Sequence, residues 1–537
     1  MLYWLIIVPI AIAVINIGFI HSDSRKLIIA SQVGIVGYTS YLFYKVRQDG
    51  AIADNMGGYP GQFAITLYAD RIAIVLIWLT TLLFLGLLIY AYAEDYFTSQ
   101  FGFLYLTLQS LIIALFLSTD LFNIYVLLEV STVVIAILIM IRKDKQAVYD
   151  GMIFLFVSVI GSGFWLFGTG FLYRTFGFLD IYAIEEVITQ VDDPRSLILP
   201  FAFMMTTLSL KIALFPLSSW LPIAYGTPSA PAVIPAILSG VYETTGLYLF
   251  IRITHMFAQV IDLQMFFLVI GFITAITGFI FAVAQDDMRL LLAYSTISQV
   301  GLMVVGISLG TDYSFYGTLY HMFAHSLFKT VLFLSVGTLN TRYETRNIQD
   351  IRGVMKTFPI TGAAILFGLL GITGAPLFNG SISKYMISYG SDSPYIQLLL
   401  NVINFGTLLY SIKFASVLFG EKIKPEKLKE SKDPFNLTQW VTLTFGVLTL
   451  LTGLFGNRLI TFLYGYSFVF STSAYLEKGF VYLLLSFAAY ALYRGWVKES
   501  DFFDKVGHVE LSFNAMITLQ LIFFIGLAGY MYVITGL

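Results

Sequence analysis

Several ionisable residues lie inside otherwise apolar stretches of the chain, and their types and spacing point to proton movement. Lys211 sits in Leu210-Lys211-Ile212-Ala213-Leu214-Phe215-Pro216, which runs on to Trp220-Leu221-Pro222. A lysine inside an apolar span costs at least about 2.5–3.5 kcal/mol on insertion scales, so it is a functional candidate by default. Pro216 removes an amide donor and leaves the carbonyl of Ile212 without its helical partner. Broken backbone at membrane depth is tolerated only where it is buried in protein or lines a wet cavity. The competing reading is a lysine near a helix end that snorkels to the interface; apolar runs on both sides of Lys211 argue against it. Glu129 lies well inside a second span, in Leu121-Phe-Asn-Ile-Tyr-Val-Leu-Leu-Glu-Val-Ser. An adjacent ammonium favours the charged form of such an acid, so Glu129 and Lys211 are expected partners. The alternative is an acid satisfied by neighbouring hydroxyls.

His321, His325 and Lys329 follow one another at spacings of four. That places all three on one helix face, each step about 6 Å along the axis. Imidazole titrates near neutral pH and uses both ring nitrogens, which suits proton relay. Two histidines at i and i+4 also suit zinc, but no third ligand is nearby and no His-Glu-x-x-His pattern exists, so no metal site is expected. Simple interhelical hydrogen bonding remains the bland alternative. Lys384 stands about two turns after Pro376, in a stretch broken by Gly371, Gly374 and Asn379-Gly380. Paired interrupted helices in two halves of a chain point to transport sites. Arg252 and Lys413 are further cations within spans, each close enough to a span end to snorkel.

The elements that must carry these residues are membrane helices. Of the 537 residues 58% are hydrophobic and only 12% charged, with 49 Phe and 34 Tyr; soluble domains carry about twice that charged fraction. The net charge of −2 and the absence of a basic tract give no sign of nucleic acid. With no cysteine, the chain forms no disulfide, thiolate zinc site or cysteine-ligated cluster, and no cofactor is expected in it. If it serves a redox process, the electrons travel on other chains. The apolar N-terminal stretch reads as a retained first span.

The expected fold is an all-α polytopic membrane protein of about sixteen spans. They start near residues 2, 27, 71, 101, 121, 151, 198, 230, 263, 290, 313, 359, 395, 437, 477 and 512. Only Ser118-Thr119-Asp120 separates two of them, and prolines crowd the start of the span at 230. Residues 46–70, with Asn55 to Pro60, read as a structured loop outside the bilayer. The stretch 175–196 reads as a short interfacial helix, and 420–434 as a charged linker. Lys and Arg concentrate in the loops after odd-numbered spans, notably 142–145, 342–356 and 422–432. The positive-inside rule makes those loops cytoplasmic and puts both termini outside, in a cell (cytoplasmic or inner) membrane. The terminal spans, including 512–537, read as partner or lipid contacts.

Three segments carry a resemblance: Lys211-Ile-Ala-Leu-Phe-Pro with Trp220-Leu-Pro, Arg289-Leu-Leu-Leu-Ala-Tyr-Ser-Thr-Ile-Ser-Gln-Val-Gly301, and His325-Ser-Leu-Phe-Lys-Thr-Val-Leu-Phe-Leu334. They resemble the antiporter-like subunits shared by respiratory complex I, the Mrp cation/proton antiporters (the D-type chain) and membrane-bound hydrogenase-type complexes. The resemblance covers roughly residues 70–420. It implies two inverted five-helix repeats, at 101–256 and 263–419, each with one discontinuous helix broken at Pro216 or Pro376. Flanking them would be N-terminal helices with a loop at 1–100 and C-terminal helices at 435–537. It further implies that Glu129 and Lys211 form the charged pair of the first half. His321, His325 and Lys329 would be the central relay, and Lys384 the terminal lysine of the second half.

One departure stands out. The family's Gly-Leu-Leu-x-Lys-x-Gly stretch reads here Gly240-Val-Tyr-Glu243-Thr244-Thr-Gly246, so Thr244 takes the lysine position and an acid precedes it. The start of that span likewise reads Ala230-Pro-Ala-Val-Ile-Pro235 where the family has a Thr-Pro pair. A glutamate one position over points about 100° away, so Glu243 and Thr244 form either a modified relay or a cation site, since hard ions such as Na⁺ prefer carboxylate oxygens. The function expected is translocation of H⁺, with Na⁺/H⁺ exchange as one form, by a subunit of a multisubunit Mrp-type complex among other membrane subunits and lipid. Two alternatives stay open: the pump arm of a redox-driven complex (complex I-like, or a hydrogenase), and a scaffold or repurposed subunit for inorganic-carbon uptake. No chemistry is expected in the chain itself, although the whole complex could be an oxidoreductase.

Overall fold

The structure, a computed structural model, describes residues 1–18, 25–59, 64–421, 436–468 and 471–534. Each of the sixteen expected spans is a helix. Among the described residues thirteen helices are long and apolar enough to cross a membrane. The other three spans begin with Trp4–Gly18, Ile198–Lys211 and Pro359–Thr373, and the last two are short because each is the first piece of a broken helix. Most of the charged linker, residues 422–435, lies outside the described residues.

The boundary at Ser118-Thr119-Asp120 is set by capping. Asp120 ends the gap between Ser99–Leu117 and Leu121–Ile139 by accepting the Asn123 amide at 2.7 Å, which satisfies one of the orphan donors of a new helix. The loop before the third span holds the two-stranded sheet found among the described residues, Ile52–Asn55 against Thr66–Ala69, antiparallel with Ile52 opposite Ala69; Pro60 lies outside the described residues. The stretch 175–196 contains the short helix Ile181–Val187, capped by Asp180.

Two stretches of the chain repeat one design. Lys145–Phe176 and Asp312–Tyr343 are both 32 residues long, about 48 Å at 1.5 Å per residue, well beyond a bilayer's hydrocarbon core of about 30 Å. Each follows two shorter spans and precedes a broken one. The loops match as well. Asp120 bridges to Asp180 across the first long helix, and Asp287 bridges to Asn347 across the second. One sequence offset carries both bridge residues and both helix boundaries from the first set to the second.

The broken spans are Ile198–Lys211 with Trp220–Gly226, and Pro359–Thr373 with Asn379–Tyr389. Pro216 and Pro376 lie in the non-helical gaps. Ala213 (φ 54°) bends the first gap, and Gly374 (φ 76°) and Leu377 (φ 75°) bend the second. Carbonyls freed at these ends are captured from the far side of each break. The Trp220 indole donates to the Leu210 carbonyl at 2.8 Å, and the Lys384 ammonium to the Ile372 carbonyl at 2.9 Å. The two lysines thus flank their breaks differently: Lys211 closes the piece before its gap, whereas Lys384 sits in the piece after its gap.

Asp312–Tyr343 and the span Val233–Phe257 are buried throughout their most apolar windows, whereas Thr472–Gly495 and Phe513–Ile534 are largely exposed. The first pair is therefore the centre of the molecule, and the last two helices form its rim.

Candidate ion-translocation site

The centre is built where Val233–Phe257 meets Asp312–Tyr343. A π-helical turn, Leu238–Tyr242, interrupts the first of these immediately before Glu243; such single turns are frequent at functional sites. Gly240 lies in that turn, and a Cβ there would stand 3.0 Å from Thr330 Oγ1 and 3.3 Å from the Ser326 carbonyl. A larger residue there would push the two helices apart by a few tenths of an ångström. The approach brings Glu243 to face Lys329. Each is the charged group acting on the other, although they lie farther apart than the 4.0 Å of a direct ion pair. Both carboxylate oxygens of Glu243 are buried with no hydrogen-bond partner. Thr244 points its hydroxyl back to the Gly240 carbonyl at 3.4 Å.

From this centre a line of buried polar groups runs both ways. Lys329 Nζ donates to Ser295 Oγ at 2.6 Å and to the Leu292 carbonyl at 2.9 Å. One turn on is His325, whose Nε2 has no partner. His321 follows, its ring centre 6.5 Å from that of His325. His321 Nδ1 is 2.8 Å from Ser383 Oγ, and its Nε2 is 3.2 Å from Gln299 Oε1. Ser383 is chain neighbour to Lys384, so the histidine ladder leads to the second broken helix. In the other direction Tyr242, adjacent to Glu243, holds its hydroxyl 3.4 Å from Thr132 Oγ1, which accepts from Lys211 Nζ at 2.8 Å.

The expected Glu129–Lys211 contact differs in the structure. No direct ion pair joins them; Lys211 reaches Thr132, one turn beyond Glu129. Glu129 is half-buried, and its Oε1 has no partner. Arg252 and Lys413 are accounted for structurally. Arg252 pairs with Asp70, which also caps the helix Arg71–Ala91. Lys413 bonds Asp286 and the Val283 carbonyl, each at 2.8 Å.

Thr132, Tyr242, Ser295, Gln299 and Ser383 are the hydrogen-bonding residues of this line that sequence reasoning passed over. Two of them were within view, because the Arg289–Gly301 motif spells them out. Arg289 binds the Thr227 carbonyl at 2.7 Å, Ser295 holds Lys329, and Gln299 holds His321. At Gly301 a Cβ would come within 2.4 Å of the Ala275 amide nitrogen. For a cation site around Glu243, no group of three or more His, Cys, Asp or Glu is found among the described residues.

Two broken helices and a row of buried ionisable side chains between them define an antiporter-like membrane protein, multi-pass and helical. The chain belongs to the family described as NADH:quinone oxidoreductase/Mrp antiporter, TM, which matches residues 118–418. It is 28% identical over 439 residues to NADH-quinone oxidoreductase subunit N of Desulforudis audaxviator, covering 78% of this chain and 86% of that one. It is 26% identical over 451 residues to the D chain of the Na(+)/H(+) antiporter of Alkalihalophilus pseudofirmus, covering 79% and 88%. The fold is similar to a chain of the membrane-bound sulfane sulfur reductase, an archaeal respiratory membrane complex (TM-score 0.79, 22% identity, 91% and 99% covered). It is also similar to a chain of the Mrp complex from Dietzia sp. (TM-score 0.77, 20% identity, 92% and 98% covered).

Proposed function

We propose that this chain carries protons across the membrane within a multisubunit Mrp-type assembly, with Na⁺/H⁺ exchange as the activity of the whole complex. The observation that carries this reading is the row of buried groups from Lys211 through Glu243 and Lys329 to His325, His321 and Lys384, which links the two broken helices. The two sets of five spans, 101–256 and 263–419, act as inverted repeats; an odd number of crossings reverses the second set, and the matched loop bridges support the assignment. Lys211 is held by Thr132, and Glu129 lies one turn from Thr132 on the same helix. Loss of that support destabilises the buried ammonium and releases its proton toward the centre. Glu243 and Lys329 exchange the proton through intervening water, and the histidines pass it to Lys384. Glu243 acts here as a relay acid rather than a cation ligand, because among the described residues no group of three His, Cys, Asp or Glu gathers around it.

By the Lys/Arg bias the chain lies in the cytoplasmic membrane with both termini outside. The test is ion flux in vesicles containing the assembled complex, where Lys211→Ala and Glu129→Ala should each lower it. Unchanged flux in both would refute the pathway. The redox-driven alternative is favoured by one finding, the similarity to a chain of an NADH-quinone oxidoreductase. Mass spectrometry of the native complex separates the two hosts: partners with iron–sulfur absorbance make the chain a pump arm, and small hydrophobic partners without it make an antiporter.

A further inference from the structure

The helix Thr472–Gly495 lies on the rim, with Leu476, Phe480, Leu483 and Phe487 turned outward. Its inner face is different. Tyr475, Lys478 and Tyr482, at spacings of three and four, point at the second broken helix. The Tyr475 hydroxyl accepts from the Leu377 amide at 2.9 Å and lies 2.9 Å from Ser381 Oγ. The Tyr482 hydroxyl is 3.1 Å from Thr373 Oγ1. This helix therefore clamps both sides of the gap at Pro376. Between the clamps, Lys478 Nζ donates to Ser388 Oγ at 3.1 Å and to Gln397 Oε1 at 3.4 Å. Lys478 and Lys384 line one cavity of about 70 Å³, together with Ser381 and Ser388, room for several waters where one needs about 10–15 Å³. Among the described residues no carboxylate lies within 4.0 Å of either lysine; Glu477, beside Lys478, is exposed. A lysine on a lipid-facing helix would be expected to snorkel outward. This one turns inward to a cavity that already holds a lysine.

We infer that Lys478 is the last proton-bearing residue of the path, receiving the proton from Lys384 and passing it toward the Tyr389–Pro394 connection. The inference rests on the pathway proposed above. In the step, an N–H bond of the Lys384 ammonium breaks and its proton joins a cavity water. That water gives up another proton to the neutral amine of Lys478, so the net change is one proton moved between two amines with no electron transfer. Ser388 and Gln397 orient the receiving amine, and the Gln397 side chain is itself fixed by its Nε2, which donates to the Ser391 carbonyl at 2.7 Å.

The experiment compares ion flux in vesicles for the assembled complex carrying Lys478→Met, Lys384→Met or Lys478→His. The expected result is a fall of about tenfold or more in Lys478→Met. Lys478→His should recover much of the flux with its optimum moved to lower pH, since imidazole titrates near 6.5; a role in packing alone would give neither the recovery nor the shift. Full flux in Lys478→Met, with flux lost in Lys384→Met, overturns this inference and leaves the pathway standing. Full flux in both overturns the pathway as well. Should Lys478→Met fail to assemble, Lys478→Gln, which keeps a polar donor at this position but no titratable amine, decides in the same way: retained flux refutes the role, and lost flux supports it.

Discussion

Glu243 and Lys329 interact electrostatically from two buried helices, Val233–Phe257 and Asp312–Tyr343, that meet where Gly240 lies against Ser326 and Thr330. Glu243 follows the π turn of the span Val233–Phe257, and Lys329 sits mid-way along Asp312–Tyr343. If the pair passes a proton as one unit, its members act non-additively. Glu243→Gln and Lys329→Met should each lower flux about a hundredfold, and the double variant should be no slower than the worse single one. Thr244→Ala should stay within about twofold, because that hydroxyl reaches only the Gly240 carbonyl. Vesicle flux assays on the four complexes measure this, and additive losses would show that the two side chains work separately.

At the ends of the path the prediction concerns hydroxyls. Thr132→Val removes the acceptor of the Lys211 ammonium and leaves a buried charge without that bond, a loss of about 1.5–3 kcal/mol for a bond to a charged group. Flux should fall about tenfold or more, and Thr132→Ser should restore it. Ser383→Ala should act similarly at His321. Equal flux in Thr132→Val and Thr132→Ser would remove Thr132 from the path.

Gly301 makes a structural prediction. Gln264–Ala284 and Met288–Ser308 pack so closely that a methyl at Gly301 would meet the Ala275 nitrogen at 2.4 Å and the Gly271 carbonyl at 2.6 Å. Small residues permit this kind of contact between membrane helices. Gly301→Ala should cost about 1–3 kcal/mol by overpacking and lower the thermal unfolding temperature of the purified complex. An unchanged unfolding temperature would mean that the helices separate freely.

Asp120, in the connection outside the spans, gives a pH dependence. Burial and the nearby Asp180 hold its carboxyl above the usual range, while the Asn123 and Phe122 amides pull it down. A carboxyl raised in the folded state contributes stability at low pH that is lost as pH rises through its folded value. Asp120→Asn keeps the helix cap and removes that loss. The unfolding temperature of wild type should therefore fall relative to Asp120→Asn as pH rises from about 4, the unfolded value. A constant difference across that range would show that Asp120 does not titrate differently on folding.

Much of this was legible in the residues because charge inside an apolar span is conspicuous. Lys211, His321, His325, Lys329 and Lys384 all stand out by hydropathy alone, and all are buried. Pro216 and Pro376 likewise mark the helix breaks that the structure contains. Hydroxyls and amides are another matter. A serine or threonine in a membrane helix bonds its own backbone at little cost, so Thr132, Ser295 and Ser383 look like dozens of others until their partners come into view. The pairing of Glu243 was hidden for a different reason. It depends on a π turn and on a glycine contact between spans far apart in the chain, neither of which has a sequence period. The same ignorance of rotation about the helix axis made Glu129 the expected contact of Lys211, when Thr132, three residues later, lies closer.

The π turn before Glu243 also bears on how the protein is made. Ribosomes add about 5–20 residues per second, so Glu243 reaches the membrane several seconds before Lys329 has been synthesised. An isolated carboxylate is costly in hydrocarbon, but an acid can shed that cost by taking a proton and entering uncharged. The order of synthesis thus places the group that can arrive neutral first, and the lysine that follows meets an acid that can then give up its proton and become its counter-charge.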